Sequence, residues 1–484
     1  MLNSNTVSAP QPAVAGISGK AIDNHYGARA RLGNDFLKFV PVMMDTLLAV
    51  LAFEMAKPLS WYFWESAGEY TWQGAVADVF ILTMAFYLNE MYCFWQPRRT
   101  AELITIIVRS QGLTMVVLAP TLMVFPWLLG AWEFGMVMCV QSVLLLGWRT
   151  LLERGLICHL ARQRVLIVGS GARAMRIREA MRDKGCVIFE LVGCTVDRVQ
   201  EDTSSSVSCR TVGPTLEVSQ FVQSEKIDHV VVAQDNPRKV FPAEALLMLK
   251  RQGVAVSEGE YFYERLMGKL MTDYVRPSVM IFTASPMHHT VQIWIKNVVD
   301  FTVAMTLLIL TLPITIATAI IIKLTSKGPI FYNQERVGMN GKPFTIYKFR
   351  SMRTDAEKDG AKWATQNDNR ITPIGKFIRK TRIDELPQLV NVLKGEMSMV
   401  GPRPERPLFV KKLQEEIPYY DMRHIMRPGL SGWAQVRYRY GSSIEDSHEK
   451  LRYDLYYIKN YTLFLDLTIL LETTKVVLFG SGAR

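Results

Sequence analysis

The fold of the C-terminal half follows from one segment of the chain, RKTRIDELPQLVNVLKGEMSMVGPRP at residues 379–404. Apolar residues recur in it at intervals of three and four, which predicts one apolar face on a short helix; they are Leu386, Leu389, Val390 and Leu393. Gly395 is typical of a helix C-terminus, and Pro387 fits the first helical turn, where its missing N–H has little effect. The segment therefore predicts a helix that begins near residue 384 and ends before Gly395.

An acidic pair, Asp384 and Glu385, stands at the predicted start of this helix. Unpaired backbone N–H groups and the positive end of the helix dipole stabilise carboxylates and phosphates at that position. One of two adjacent residues can leave the helical path there, so both carboxylates can face a common ion. Mg²⁺ is the natural candidate, because it takes one or two carboxylates together with phosphate oxygens. The alternative is that Asp384 only caps the helix.

Basic residues that can clamp phosphate lie on both sides of the acidic pair. Arg379, Lys380 and Arg382 precede the pair, and Arg403 follows it in a Gly-Pro-Arg-Pro turn. These cations either bind phosphate or form the solvated rim of a capped helix. The segment by itself leaves both interpretations open.

The whole segment resembles the signature of the bacterial sugar transferases, the polyprenyl-phosphate hexose-1-phosphate transferases. In that family the Asp of the Asp-Glu pair is the nucleophile, so the resemblance assigns this role to Asp384 and makes Glu385 its acidic partner at Mg²⁺. Arg379 and Arg403 match arginines that bind phosphate in the family. Arg382 stands where a small hydroxyl residue is usual.

Three more strings resemble signatures of the same family. QERVG (334–338) with KFRSM (348–352) resembles the second signature and supplies candidates for the rim of the active site, namely Gln334, Arg336, Lys348 and Arg350. RPGLSGWAQV (427–436) is similar to the third and offers Trp433 and Gln435 as contacts to a nucleotide or an interface; core packing is the alternative for Trp433. The closing motif is YDLYYIKNYTLFLD (453–466). The resemblance spans residues 290–484.

Composition indicates a membrane protein. Hydrophobic residues make up 49% of the 484 residues, and the mean hydropathy is +0.10. The net charge of +11 suits anionic lipid headgroups or nucleotide phosphates, whereas the absence of one long basic stripe argues against nucleic acid. The six cysteines show no paired or metal-type spacing, which is typical of a reducing compartment.

The N-terminal part predicts a four-helix transmembrane bundle at residues 39–150, after a flexible tail at residues 1–38 that is rich in Ser, Ala, Asn and Pro. Four apolar stretches are near the length that crosses a bilayer; they cover 39–55, 75–95, 103–127 and 134–148. Basic residues flank both ends of the set, so the positive-inside rule places both ends in the cytoplasm. Four charged residues fall inside or near these stretches and are predicted to pair with other residues or to lie at the interface, namely Asp45, Glu54, Asp78 and Arg109.

The middle of the chain, residues 160–265, predicts a small Rossmann-like domain with a parallel sheet. RVLIVGSGARA (164–174) reads as a buried strand that turns through Gly169 and Gly171 into a helix, a G-x-G-x-x-A fingerprint. Further strands are predicted near 189–196 and 229–233. No substrate-binding partner follows, which favours a structural or regulatory module over a working dehydrogenase.

After a linker at 266–290, residues 291–484 are predicted to form a re-entrant membrane helix and a mainly α catalytic domain. The stretch 301–322 carries no charge and has Pro313 in its middle, where a proline removes a helix hydrogen bond. A simple fifth span would place all later residues outside the cell, away from activated sugars. We therefore expect the segment to break at Pro313 and return to the cytoplasmic side, as the family resemblance also implies.

The resemblance implies an inner-membrane phosphoglycosyl transferase whose active site faces the cytoplasm. It implies transfer of hexose-1-phosphate, with glucose or galactose as the hexose, from a UDP-sugar to undecaprenyl phosphate. An aspartyl-phosphosugar intermediate and release of UMP follow, and the reaction starts exopolysaccharide or O-antigen-type glycan synthesis. Besides the two substrates and membrane lipids, a homo-oligomer and downstream glycosyltransferases are candidate partners.

Two alternatives belong to other classes. A membrane-bound nucleotide-sugar dehydratase or epimerase shares the N-terminal architecture, but it requires a catalytic Tyr-x-x-x-Lys, and no tyrosine of this chain has lysine four residues later. A non-catalytic scaffold of a polysaccharide export machine could use the same fold only to bind lipid phosphate. Release of UMP separates the transferase from the scaffold.

Overall fold

The computed structural model describes most of the chain and divides it into two compact units, Met1–Gly259 and Glu260–Arg484. The described residues are 34–63, 72–89, 91–92, 100–124, 131–152, 162–183, 189–195, 211–212, 218–235, 243–274, 290–356, 369–438, 441 and 443–479. Most of the predicted tail and of the predicted linker lies outside them. Residues 260–274 belong to the second unit, so this unit begins earlier in the chain than the catalytic domain expected from sequence.

Helices α1 to α4 open the first unit. They are α1 (Asn34–Phe63), α2 (Trp72–Leu88), α3 (Thr100–Val124) and α4 (Ala131–Leu151). One apolar cluster takes residues from all four helices, among them Ala49, Leu82, Leu103 and Leu145. Within the described residues, Thr100–Leu118, Phe134–Leu151 and the later Thr290–Thr325 are long and apolar enough to cross a membrane.

Buried polar side chains in these helices pair with each other. Arg149 is fully buried and forms a salt bridge with Asp45, and its guanidinium lies 5.1 Å from the centre of the Tyr92 ring. Asp78 accepts a hydrogen bond from the buried Gln141 amide. An unpaired charge in an apolar interior is strongly unfavourable, so these contacts confirm the predicted pairing of Asp45 and Asp78.

A five-stranded parallel sheet follows, as predicted for the Rossmann-like domain. Its strands lie in the order β3-β2-β1-β4-β5. The elements are β1 (Gln163–Val168), α5 (Ala172–Asp183), β2 (Phe189–Thr195), β3 (Thr211–Val212), α6 (Val218–Ser224), β4 (His229–Val232), α7 (Ala243–Arg251) and β5 (Ala255–Glu258). Gly169 follows β1 with φ +134°, and a Cβ there would lie 2.6 Å from the carbonyl oxygen of Ala233, so the turn requires glycine.

The phosphate-binding position of this fingerprint is occupied by a side chain of the protein itself. The Asp235 carboxylate accepts hydrogen bonds from the backbone N–H groups of Ala172 (2.8 Å) and Arg173 (3.1 Å) at the start of α5. In dinucleotide-binding folds these N–H groups bind the pyrophosphate. A Cβ on Gly171 would lie 2.1 Å from the same carboxylate. The contact supports a structural or regulatory module over a working dehydrogenase.

The second unit is mainly helical, as predicted, with short strands around one core. It contains α8 (Gly259–Met267, which starts at the end of the first unit), α9 (Thr290–Thr325), β6 (Phe331–Val337), β7 (Pro343–Phe349), α10 (Pro373–Lys380), α11 (Leu389–Leu393), β8 (Ser398–Val400), α12 (Pro407–Glu416), β9 (Gly429–Ser431), α13 (Trp433–Arg437), α14 (Ile444–Lys459) and α15 (Leu463–Phe479). Strands β6 and β7 pair antiparallel, and β8 pairs parallel with β9. A capping box of Ser443 and Asp446 starts α14.

Helix α9 runs through Pro313 without interruption, so the break expected there is not seen. One proline removes one hydrogen bond, and the long apolar segments on both sides remain helical. The hydroxyls of Thr311 and Thr315 donate to the carbonyls of Leu307 (2.7 Å) and Thr311 (2.9 Å), four residues earlier in each case. Such bonds often bend a helix without ending it.

Candidate active site

The predicted helix of the opening segment is two shorter helices in the structure. Residues Ile383–Gln388 form a 3₁₀ helix, and α11 follows it directly. Pro387 accounts for the difference, because it cannot donate to the carbonyl four residues earlier. Gly395 ends the segment with φ +76°, which confirms the predicted stop. The acidic pair therefore lies in the first turn of a 3₁₀ helix and not of an α-helix.

A sharp turn presents the acidic pair. Thr372 caps α10, since its hydroxyl accepts a hydrogen bond from the backbone N–H of Gly375 at 3.0 Å. After α10, Arg382 takes the left-handed conformation with φ +60°, which is uncommon for a residue with a side chain. The backbone N–H of Glu385 then donates to the carbonyl of Arg382 at 3.2 Å. The turn fixes the direction in which Asp384 and Glu385 leave the backbone.

Glu385 is the anion at the centre of a cluster of cations. Its Oε1 lies 2.7 Å from Arg403 Nη2, 3.0 Å from Lys348 Nζ and 3.9 Å from Arg382 Nη1. Burial alone would raise the pKa of Glu385, but these three cations outweigh burial and hold that pKa well below its usual range. Glu385 is therefore a permanent carboxylate at neutral pH.

Asp384 differs from its neighbour in protonation and in contacts. It is only 8% exposed, and burial together with the Glu385 charge raises the pKa of Asp384 to about 6, although nearby cations oppose the shift. No described residue donates a hydrogen bond to its side chain. Two adjacent carboxyls with pKa values moved in opposite directions are typical of a catalytic pair with divided roles.

The acidic pair fits the predicted Mg²⁺. Both Asp384 oxygens and Oε2 of Glu385 accept no hydrogen bond from the residues that the structure describes, so they are available as hard oxygen ligands. Within the same residues, no group of three or more His, Cys, Asp or Glu side chains could enclose a metal ion. Mg²⁺ commonly takes one or two carboxylates and completes its shell with water and substrate phosphate, which matches this donor set.

Arg403 joins the acidic pair to the third sequence signature. Besides Glu385, its guanidinium reaches Gln435, whose Oε1 accepts from Nη1 at 3.1 Å when the amide is oriented to donate to the Leu430 carbonyl. The backbone of the Gly-Pro-Arg-Pro turn is held closely, since a Cβ on Gly401 would lie 2.4 Å from the carbonyl oxygen of Arg427. The structure thus brings Gln435 and Arg403 together, as expected for parts of one site.

Gln334 and Arg336 brace the Arg403 turn. Arg336 donates to Gln334 Oε1 at 2.5 Å and to the Pro404 carbonyl at 3.2 Å, and it lies 3.5 Å from a Glu405 carboxylate oxygen. Of the two, only Arg336 has a described contact with the turn, whereas Gln334 contacts Arg336 and the Tyr332 hydroxyl (2.8 Å). No described contact links either residue to the acidic pair.

Of the two remaining candidates, Arg379 lies near the acidic pair and Arg350 lies away from it. Arg379 lies close enough to Asp384 to oppose the rise of its pKa. Arg350 is 6% exposed and donates to the carbonyl (2.9 Å) and hydroxyl (2.6 Å) of Ser326, just after the end of α9. Arg350 therefore joins β7 to the membrane helix, and no described contact links it to the acidic pair.

A buried ion pair that was not predicted from the sequence supports the Arg403 turn. Arg423 donates to the Arg403 carbonyl at 3.0 Å and to Asp454 Oδ2 at 2.8 Å. Asp454 lies in the closing motif, which was the available signal for it, whereas no local pattern marked Arg423. Trp433 is buried and stacks on the ring of Tyr456, in agreement with the packing alternative.

A second missed network connects α9 to the same turn. Lys296 is 2% exposed and donates to Asp466 Oδ2 at 2.7 Å and to the Val400 carbonyl at 3.3 Å. The Tyr457 hydroxyl donates to the other Asp466 oxygen at 2.6 Å. Residues near the start of the apolar helix are therefore fixed next to the strand that leads into the Arg403 turn.

An acidic pair inside a cluster of cations, in a unit that also contains a long apolar helix, is compatible with a membrane-associated enzyme that acts on phosphates. The sequence profile described as Bacterial sugar transferase matches residues 291–480. The chain belongs to the bacterial sugar transferase family. This result confirms the resemblance drawn from the four signatures.

Three relatives cover different shares of the chain. UDP-N-acetylgalactosamine-undecaprenyl-phosphate N-acetylgalactosaminephosphotransferase of Aeromonas hydrophila is 45% identical over 46% of this chain and 52% of its own length. The putative undecaprenyl-phosphate N-acetylgalactosaminyl 1-phosphate transferase of Bacillus subtilis (strain 168) is 58% identical over 27% of this chain and 72% of its own. UDP-glucose:undecaprenyl-phosphate glucose-1-phosphate transferase of Escherichia coli (strain K12) is 28% identical over 82% of this chain and 87% of its own.

Proposed function

We propose that the protein transfers a sugar-1-phosphate from a UDP-sugar to undecaprenyl phosphate and releases UMP. The observation that carries the proposal is the pair of adjacent carboxyls, Asp384 with a raised pKa and Glu385 fixed as an anion by cations. The names of the relatives extend the range of donors beyond glucose and galactose to N-acetylgalactosamine. The donor is therefore a UDP-hexose or a UDP-N-acetylhexosamine, and the product starts an exopolysaccharide or O-antigen-type glycan.

The reaction proceeds in two displacements at one phosphorus atom. An oxygen of Asp384 attacks the phosphate nearest the sugar, the bond to the bridging oxygen breaks, and UMP leaves with the electron pair. An oxygen of undecaprenyl phosphate then attacks the aspartyl-phosphosugar, and Asp384 recovers its carboxylate. Arg403 and Arg379 stabilise the phosphate charge that develops in both displacements. Mg²⁺ held by the Asp384 and Glu385 oxygens would neutralise part of the diphosphate charge.

Release of UMP tests the activity directly. Purified full-length protein is incubated with undecaprenyl phosphate, Mg²⁺ and one nucleotide sugar at a time, starting with UDP-N-acetylgalactosamine, UDP-glucose and UDP-galactose. UMP together with a lipid-linked sugar diphosphate is expected with one or more of them. Lipid binding without UMP from any donor would favour the non-catalytic scaffold.

The first displacement is expected to lose rate below about pH 6. Only the carboxylate of Asp384 attacks, and a pKa of about 6 leaves it ionised above that pH and protonated below it. The ionised fraction falls from about 90% at pH 7 to about 9% at pH 5, so we expect a roughly tenfold slower step. The burst of UMP is measured without undecaprenyl phosphate, so that it reports the first displacement alone. The acceptor is left out because the second pKa of its phosphate is also near 6, and its titration would overlap with that of Asp384. A burst rate that stays constant from pH 7 to pH 5 would contradict a raised pKa of Asp384 in the working enzyme.

We further propose that α9 stays helical through Pro313 but bends there, and that it enters and leaves the membrane on the cytoplasmic side. Lys296 near its start contacts Asp466, and Ile322 near its end packs with Phe349 and Ile378, all in one compact unit. A helix of 36 residues is about 54 Å long and exceeds the roughly 30 Å hydrocarbon core. A straight crossing would place the two ends of α9 on opposite sides of the membrane. The residues of the second unit that contact both ends could not then lie on one side.

Single cysteines test this topology in a background without the native cysteines. Val291 and Lys327 are exposed at the two ends of α9, whereas Lys296 is buried and unsuitable. Val291→Cys and Lys327→Cys are both expected to be shielded from a membrane-impermeant thiol reagent in spheroplasts and labelled in inverted vesicles. Lys411→Cys, exposed on α12, is the control for the side of the catalytic unit. Opposite labelling of the two ends would show that α9 spans the membrane.

A further inference from the structure

Residues 260–274, here named the docking arm, are attached to α14 by ion pairs. Lys459 Nζ lies 2.8 Å from a Glu264 carboxylate oxygen, and Arg452 binds both oxygens of Asp273 at 2.8 and 2.7 Å. Lys269 pairs with Glu449 in addition. Glu264 is 4% exposed, so a change that removes or reverses the charge of one partner would leave a buried charge without its counter-charge, which is strongly unfavourable.

The docking arm also contacts the core beneath the active site. Leu270 is fully buried in the main apolar cluster of the second unit, and its backbone N–H donates to the Arg452 carbonyl at 3.1 Å. The indole N–H of Trp433 donates to the carbonyl of Gly268 at 2.7 Å. Gly268 has φ +67°, and a Cβ there would lie 3.2 Å from the Trp433 ring. The arm thus closes over Trp433.

Trp433 connects the arm to the acidic pair. It begins α13, and Gln435 two residues later reaches Arg403, which pairs with Glu385. Helix α13 has only five residues and no side-chain cap at its start. Because so short a helix has little stability of its own, its position depends on tertiary contacts such as the bond from Trp433 to Gly268.

We propose that the docking arm is a positioning element of the active site, which holds Trp433 and thereby the Gln435–Arg403–Glu385 contacts in place. The inference rests on the proposed transferase function. The arm lies outside residues 291–480, which the family profile matches. No described contact links it to Asp384 or Glu385, so its role is to adjust the site and not to supply chemistry. Its loss weakens use of Mg²⁺ and of the UDP-sugar more than it slows turnover.

Charge reversal and charge exchange in the full-length protein test the arm. Glu264→Lys places two like charges at the Lys459 contact, and adding Lys459→Glu restores an opposite pair with the order reversed. Hydrogen exchange of peptides covering 260–274 reports whether the arm is released. Trp433→Phe keeps an aromatic ring and removes only the donor to Gly268. Glu415→Lys, at an exposed position of α12, is the matched control for charge reversal.

In Glu264→Lys we expect faster exchange of the arm and a roughly five- to tenfold rise in both the half-saturating Mg²⁺ concentration and the KM for the UDP-sugar. We expect kcat to change by less than about threefold. The charge exchange should return the hydrogen-exchange rate of the arm, the half-saturating Mg²⁺ concentration and the KM to within about twofold of wild type. Trp433→Phe should raise the same two constants about threefold, in keeping with the loss of one hydrogen bond.

Three results would overturn the inference. The first is faster hydrogen exchange of the arm in Glu264→Lys with an unchanged half-saturating Mg²⁺ concentration and an unchanged KM. The second is a charge exchange that restores the protection of the arm but not these two constants. The third is a normal Mg²⁺ and UDP-sugar dependence in Trp433→Phe, whether or not the arm is released. Failure of the wild-type protein to release UMP would instead refute the proposed function. Normal wild-type kinetics with unaffected variants would refute only the role of the arm.

Discussion

Asp384→Asn is expected to reduce UMP release by at least about 10⁴-fold, because an amide cannot form the aspartyl-phosphosugar. Asparagine has nearly the same shape as aspartate, and the change removes a buried carboxyl whose ionisation is already disfavoured by burial and by Glu385. We therefore expect the thermal unfolding temperature to stay the same or rise. The loss of activity would then be chemical and not a consequence of unfolding.

Two measurements check this prediction. Release of UMP gives the rate, and intact-protein mass spectrometry after mixing with donor alone shows the covalent phosphosugar on wild type and its absence on the variant. Glu415→Gln removes an exposed carboxylate from α12 and should behave as wild type. UMP release by Asp384→Asn within about tenfold of wild type would refute the nucleophile assignment.

Glu385→Gln is expected to lower kcat/KM by about 10² to 10³-fold. Glutamine keeps the shape of the side chain but leaves Arg403 and Lys348 without their anionic partner, so both cations lose the contact that orients them. The carboxylate oxygen proposed for Mg²⁺ is lost as well, so the half-saturating Mg²⁺ concentration should rise about 10-fold or more. Excess Mg²⁺ should therefore restore part of the rate.

The matched control for Glu385→Gln is Glu405→Gln. Glu405 lies 3.5 Å from Arg336 in the turn behind Arg403, so its loss should have a smaller effect and leave the Mg²⁺ dependence unchanged. A titration of UMP release against Mg²⁺ compares the two variants. Unchanged activity and unchanged Mg²⁺ dependence in Glu385→Gln would remove Glu385 from the site.

The two predictions differ because the two carboxyls have different surroundings. Asp384 takes no hydrogen bond from the described residues and keeps its oxygens available for phosphorus, whereas Glu385 is held by Arg403 and Lys348. A nucleophile must be unencumbered and an electrostatic partner must be fixed. The sequence placed both residues in one pair, but only their contacts distinguish the roles in physical terms.

Short-range patterns in the sequence determined the identity of most elements. Gly395 ends its segment with positive φ as predicted, and the fingerprint around Gly169 lies between a strand and a helix of a parallel sheet. Such features depend on residues a few positions apart, so a local reading suffices. The same reading failed where one residue had two possible effects: Pro387 changed an α-helical turn into a 3₁₀ turn, and Pro313 did not end α9.

Only the tertiary structure decided which charges meet. Glu385 contacts Lys348, 37 residues away, and Arg403, 18 residues away. Asp235 reaches backbone groups 63 and 62 residues earlier, and Trp433 reaches Gly268 across 165 residues. The sequence by itself established the family through its four signatures. It also established the apolar helices and the acidic pair, because local propensity and apolar periodicity act over one or two turns, but only two of the four predicted N-terminal spans are long and apolar enough to cross a membrane in the described residues. Partners that are distant in the chain are chosen by the packing of whole elements, which no local pattern contains.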